Sequence, residues 1–223
     1  SLGRLTGDEQ KAAKTSAFDL QVNPSSPGMR FHRLDKARDR NFWSIRVNDD
    51  LRLIVHRSEG SLLLCYVGHH DDAYRWAESR KIERHPATGA AQIVEIREVV
   101  REIEVPRYVA PSEESEPKAE IPRELPRLFA GVEKDRLLAY GVPEEWIDEV
   151  AGATEASLFE LADHLPAEAA EALLELATGG TPKKPVQAAA DADPFAHPDA
   201  QRRFRIVADV EELERALAAP WEK

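Results

Sequence analysis

The sequence predicts an α+β protein: an antiparallel sheet with an N-terminal helix, then a small all-helical region and a C-terminal strand-helix segment. Three observations carry this prediction. Four strand-like runs follow one another between residues 29 and 67. Short helical stretches crowd residues 133 to 180, each closed by Gly or Pro. Between the two groups the composition turns acidic and proline-rich, with few apolar side chains.

The first element runs from Leu5 to about Val22, where Ala12, Ala13, Ala17, Phe18 and Leu20 supply the small and apolar positions of a helix. It stops at the breaker cluster "NPSSPG". The strand runs are "MRFHRL", "FWSIRV", "LRLIVH" and "LLLCYV". The last lacks polar alternation and is expected to be the most buried. "DDAYRWAESR" follows as a short helix capped by Asp71 or Asp72, and a further strand is expected within "PATGAAQIVEIREVVREIEV". Helices are expected in "EKDRLLAY", "PEEWIDEVA", "EASLFELADH" and "AEAAEALLELA". The chain closes with a strand, "RFRIVA", and a helix for which Asp209 and Glu212 have capping-box spacing. The expected units are a sheet domain over 1–103, a linker over 104–124, a helical domain over 125–180, a second linker over 181–195, and the strand-helix segment over 196–223.

At 223 residues the chain holds one large or two small domains. No apolar run approaches the roughly 20 residues that span a bilayer, and the first residues lack the basic start and apolar core of a leader, so the expectation is a cytoplasmic protein with no membrane partner. Opening at Ser1 rather than Met fits a piece of a longer protein. Cys65 is the one cysteine, which removes internal disulfides and cysteine zinc clusters and points to a buried thiol. The net charge of −11 is unevenly spread: residues 1–90 hold about 15 Lys and Arg against about 12 Asp and Glu, the remainder about 15 against about 29. A basic cluster, "RFHRLDKARDR", includes Arg33 and Lys36.

The loop Asn48-Asp49-Asp50 sets the hairpin register. A three-residue loop pairs Arg46 with Arg52 and Ile45 with Leu53, and gathers Trp43, Ile45, Val47, Leu51, Leu53 and Val55 on one apolar face. A two-residue loop mixes the faces. The preferred register makes two guanidiniums direct neighbours, a repulsive pair on its own and a grip for a phosphate, with His56 on the same side. The competing reading leaves both arginines in water or on acidic partners.

"YVGHHDDAYRWA" carries the candidate chemistry. His69, His70, Asp71 and Asp72 are metal-ligand types, but neighbours on a strand face opposite ways and no His-x-x-x-His supports them, so no metal is expected. His69, His70, Tyr74 and Arg75 could instead move protons and stabilise charge while RNA is cleaved by its own 2′-hydroxyl. The alternative is that Tyr74 and Trp76 anchor the helix while the aspartates cap it. No Gly-x-x-x-x-Gly-Lys-Ser/Thr loop and no Gly-x-Ser-x-Gly elbow occurs, and no cofactor is expected.

Over approximately residues 5–85, the order of helix, "FWSIRVNDDLRLIVHR" and "YVGHHDDAYRWA" resembles the RelE/ParE toxin superfamily. That resemblance implies a helical hairpin packed on an antiparallel sheet, with the first helix shortened or missing at Ser1, and either metal-independent mRNA cleavage at the ribosome or gyrase inhibition. It aligns Arg52 with the family's strand arginine and Tyr74 with the tyrosine after the last strand. His70 and Asp71 depart from the basic residues usual there. Over approximately 125–223, and above all in "DPFAHPDAQRRFRIVADVEELERALAAPWEK", the chain resembles the segment before the motor in certain bacterial UvrD/Rep-like DNA helicases. The leading expectation is therefore the non-motor N-terminal region of such a helicase, docking RNA, DNA or a partner through Arg33, Lys36, Arg46, Arg52, His56 and His69. The alternative is a RelE-type mRNA endonuclease of a toxin-antitoxin system, with Arg52, His70, Tyr74 and Arg75 catalytic and the ribosome as partner. A third reading packs the acidic helical region over the basic face, as an antitoxin would.

Overall fold

Thr6 starts the first helix for a local reason. Its hydroxyl accepts from the Glu9 N–H at 3.4 Å while the Glu9 carboxylate takes the Thr6 N–H at 2.8 Å, a reciprocal cap that stabilises by about 1 kcal/mol. Helix α1 spans Gly7–Val22. The structure is a computed structural model that describes residues 2–23, 30–58, 61–96, 126–189 and 191–218. The proline-rich linker expected at 104–124 lies outside the described residues.

Strands β1 (Phe31–Arg33), β2 (Phe42–Arg46), β3 (Leu51–Ser58) and β4 (Ser61–His69) form one antiparallel sheet in the order β1-β2-β3-β4. Asn48 shapes the central hairpin by accepting the N–H groups of Asp50 and Leu51 at 3.0 and 2.7 Å, a side-chain turn that fixes the loop length. The resulting register pairs Arg46 with Arg52, Ile45 with Leu53 and Trp43 with Val55, as the three-residue loop requires. The apolar face this creates packs against Leu2, Leu5, Ala13 and Leu20, and the small side chains of α1 let the helix lie close to the sheet.

Two expectations about the strands and their cap are corrected here. The apolar run in β4 is not the most buried strand: β4 is at the sheet edge and mostly half-buried, whereas β3, covered on both faces, holds Leu53, Ile54, Val55 and His56 inside. A bulge lets Ile54 pair with Tyr66 and Val55 with Leu64, leaving Cys65 as the extra residue. Helix α2 (His70–Glu78) begins ahead of Asp71 and Asp72, with His69 at the cap position and both aspartates in the first turn. Their charge still suits the positive end of the helix.

Helix α2 covers the second face of the sheet. Ala73 and Ala77 are fully buried beside Phe42, Ile54 and Leu34, with Tyr66 stacked on Trp76 at 5.1 Å. A separate hairpin follows, β5 (Arg80–Arg84) with β6 (Ala91–Glu95). Its Val94 belongs to the core built by α3 (Lys134–Ala139), α4 (Ile147–Ala151), α5 (Glu155–Ala162) and α6 (Ala167–Ala177). Gly141 and Gly179 end α3 and α6 with φ of +86° and +81°, a conformation that favours glycine.

The stretch read as a second linker is fastened down. Ala188 N–H donates to the Thr88 carbonyl at 2.9 Å and Arg84 donates to the Ala189 carbonyl at 2.7 Å. After α7 (Pro198–Gln201), Phe204 is buried edge-on against Phe195. The strand expected in "RFRIVA" is absent: residues 204–208 have no regular structure, because Phe204 N–H still bonds back to Ala200 and no neighbouring strand accepts the rest. Helix α8 (Val210–Ala218) is capped as its spacing implied, with Glu212 N–H donating to Asp209 Oδ1 at 2.7 Å, and it lies against α1.

Candidate nucleic-acid interface

Strand alternation places Ser44, Arg46, Arg52 and Ile54 on the face that α2 covers. Toward the hairpin tip that face opens to solvent. Arg46 pairs with Asp49 and donates Nε–H to the Asn48 carbonyl at 3.2 Å. Arg52 donates Nη1–H to the carbonyls of Asn48, Asp49 and Leu51 at 3.0, 3.3 and 2.9 Å. The two guanidiniums therefore tolerate each other by sharing the tip's carboxylate and carbonyl oxygens.

Tyr74 and His70 complete this side. The Tyr74 hydroxyl lies 3.3 Å from Ser44 Oγ, and its ring stacks on His70 with centroids 4.3 Å apart. His70 Nδ1 is 2.9 Å from Asp71, and that hydrogen bond holds the Asp71 carboxyl below its usual range. Arg52 has Gly68 as its neighbour on β4, two residues before His70, so Arg46, Arg52, His70 and Tyr74 gather from three adjacent elements.

The other expected residues sit elsewhere. His69 pairs with Leu51 and so faces α1, where its Nδ1 is 2.6 Å from Asp50 and its Nε2 is 3.7 Å from Glu9. The hydrogen bond to Asp50 raises its pKa. His56 is buried, edge-on to Phe42, with Nε2 3.2 Å from Asp39 Oδ2. Asp39 also accepts the Ile82 and Asn41 N–H groups at 3.0 Å each. Although burial alone would raise it, these hydrogen bonds hold the Asp39 carboxyl below its usual range. The His56–Asp39 pair thus ties β3 to the turn before β2 and presents nothing to a ligand. Arg75 is exposed on Asp72 at 3.1 Å. Arg33 and Lys36 are exposed at the end of the sheet away from the hairpin tip.

A second group at that far end escaped the sequence reading. Arg57 holds its guanidinium 5.9 Å from the Trp43 ring centroid, and Phe31 meets Trp43 edge-on at 6.5 Å. The signal is the pairing of Arg33 with Trp43, which depends on a β1–β2 connection too long to fix a register from sequence.

The helical region meets the β5–β6 hairpin instead of the basic face. Lys81 pairs with Glu145, Trp146 Nε1–H donates to the Glu95 carbonyl at 2.9 Å, and His85 Nε2 bonds the Val142 carbonyl at 3.0 Å. No ion pair or hydrogen bond among the described residues joins residues 126–180 to Arg46 or Arg52. Among the described residues no group of three His, Cys, Asp or Glu could hold a metal ion, and no helix is long and apolar enough to cross a membrane. No protein-family model, curated protein or solved structure matches the chain.

Proposed function

We propose that this chain is a docking module, the toxin-like N-terminal region of a UvrD/Rep-like DNA helicase, which lays its first sheet against the phosphate backbone of RNA or DNA. The observation that supports it is the cross-strand Arg46–Arg52 pair at the open hairpin tip, on the face of the sheet where Tyr74, stacked on His70, meets Ser44. The ion pair that occupies Arg46 is a weak one. Arg46 is 41% exposed and its partner Asp49 is 99% exposed, and ion pairs of that kind contribute about 0–1 kcal/mol. A phosphate, which accepts both guanidiniums in paired hydrogen bonds, displaces such partners at little cost.

Binding of the full chain to RNA and DNA oligonucleotides across a salt series tests this. Replacing Arg46 and Arg52 with Ala is expected to weaken binding and to reduce the slope of log affinity on log salt by about two, one for each phosphate that is no longer neutralised. A slope unchanged in the double variant removes the docking role from this pair. The helicase setting has its own test. A Gly-Lys-Thr phosphate loop encoded downstream of Lys223 supports it, and an open reading frame that continues without one removes it.

The stack of His70 on Tyr74 beside Arg52 favours a second reading, a RelE-type mRNA endonuclease. The Tyr74 hydroxyl contacts Ser44 and no base, and His70 rests on Asp71, so docking takes precedence. Mapping mRNA ends in cells expressing the chain separates the two: cleavage abolished by Tyr74→Phe and Arg52→Ala establishes the nuclease.

A further inference from the structure

Near the hairpin tip Arg46 is tied to a carboxylate and Arg52 to backbone carbonyls. Arg46 and Arg75 have carboxylate partners, and so do Arg80, Lys81, Arg202 and Arg203 in the rest of the molecule. At the end away from the hairpin tip, Arg33, Lys36, Arg40 and Arg57 are all exposed and have no carboxylate partner among the described residues. These four cations lie together at one end of the sheet in a chain with 41 acidic residues and a net charge of −11. Asp39, the nearest acid in sequence to Arg40, is turned inward onto His56 and the Ile82 N–H. Asp35, on the same turn, is exposed and bonds to none of the four.

Two aromatic rings lie within this group. Trp43 and Phe31 are half-buried, in edge contact at 6.5 Å, at the margin of the core that α1 covers. Arg33 is the direct cross-strand neighbour of Trp43, and Arg57 reaches over its ring. A flat ring with guanidiniums on either side suits an unpaired base, which stacks on the ring while its phosphates meet the flanking charges. A duplex keeps its bases stacked inside and offers only phosphates.

We propose that the β1 end of the sheet is a stacking site for single-stranded nucleic acid, with Trp43 and Phe31 receiving bases and Arg33 and Arg57 holding the adjacent phosphates. This rests on the nucleic-acid reading above, and adds to it a second site and a preference for unpaired strands. The Arg57 guanidinium leaves the indole face as a base takes its place, keeping its charge at the rim.

The test measures affinity of the full chain for oligo(U), oligo(dT) and a duplex of equal length, about 12 nucleotides, within the usual span of such sites. Arg33 and Arg57 are exposed, so their double replacement by Ala leaves the core intact. It is expected to lower single-strand affinity about tenfold or more while changing duplex affinity less than about threefold. Oligo(U) is expected to quench the intrinsic tryptophan fluorescence, and Trp43→Phe is expected to abolish that part of the quench. Unchanged single-strand affinity in the double variant, or equal preference for duplex, overturns the stacking site and leaves binding through Arg46 and Arg52 standing. Absence of binding to all three ligands at low salt overturns both.

Discussion

The Glu168 carboxylate accepts from Arg203 Nη2 at 2.6 Å and from Gln92 Nε2 at 3.0 Å, so one buried anion joins α6, the turn after α7 and the β5–β6 hairpin. Gln92 also donates to the Gly141 carbonyl at 3.0 Å. Burial pushes the Arg203 pKa down, with the charge of Glu168 opposing that shift. The helical unit and the hairpin are held together by a polar network as well as by the shared apolar core.

Removing this carboxylate leaves a half-buried guanidinium and the buried Gln92 amide without their partner, whereas removing a surface one does not. Glu168→Ala is expected to lower unfolding free energy by about 3–5 kcal/mol. Glu171, 63% exposed and bonded to Arg202, is the control, for which replacement by Ala costs about 0–1 kcal/mol. Urea denaturation of the two variants checks the contrast.

Asp39 has a pKa below its usual value in the folded protein, with burial opposing and the hydrogen bonds from His56, Ile82 and Asn41 outweighing it. The sign of the linkage follows: its contribution is present above the ordinary aspartate value of about 3.9 and is lost as pH falls through the lower folded value. Asp39→Asn is expected to be less stable at neutral pH and to lose less stability between about pH 4 and pH 2. Thermal melts across that range would show parallel curves if Asp39 contributed nothing.

Cys65 titrates far from neutrality, its thiol pushed up to about 12 by burial. Because the thiolate is the reactive form, alkylation by iodoacetamide at pH 8 is expected to be slow in the native chain and fast in denaturant. Equal rates in both conditions would contradict this environment.

Gly68 leaves the space that Tyr66 occupies. A Cβ at position 68 would lie 2.7 Å from Tyr66 Cε1, and the ring cannot withdraw without leaving its stack on Trp76. Gly68→Ala is expected to destabilise by about 1–3 kcal/mol and to reduce the near-ultraviolet dichroism of the stacked aromatics.

Several parts of the fold were legible because they depend on neighbours in sequence. The Asp209–Glu212 cap and the three-residue loop Asn48-Asp49-Asp50 are each set within a few residues. The three-residue loop then fixed the pairing of Arg46 with Arg52 by keeping one face apolar. The candidate site was only partly legible. Alternation separated His69 from His70, yet it could not place His56 against Asp39, whose turn comes from outside the hairpin. Nor could it foresee that Arg46 and Arg52 would satisfy themselves on the tip.

By itself the sequence determined the α+β class, the order of the first helix and the first four strands, and the hairpin register, since each follows from periodicity and breakers that act over a few residues. Tertiary structure alone decided that "LLLCYV" is an edge strand, that "RFRIVA" forms none, that Val94 and Gln92 serve the helical core, and that Arg33 and Arg57 flank Trp43. The reason is physical: a strand's burial and a charge's partner depend on which distant segment arrives beside it, and no local pattern encodes that arrival.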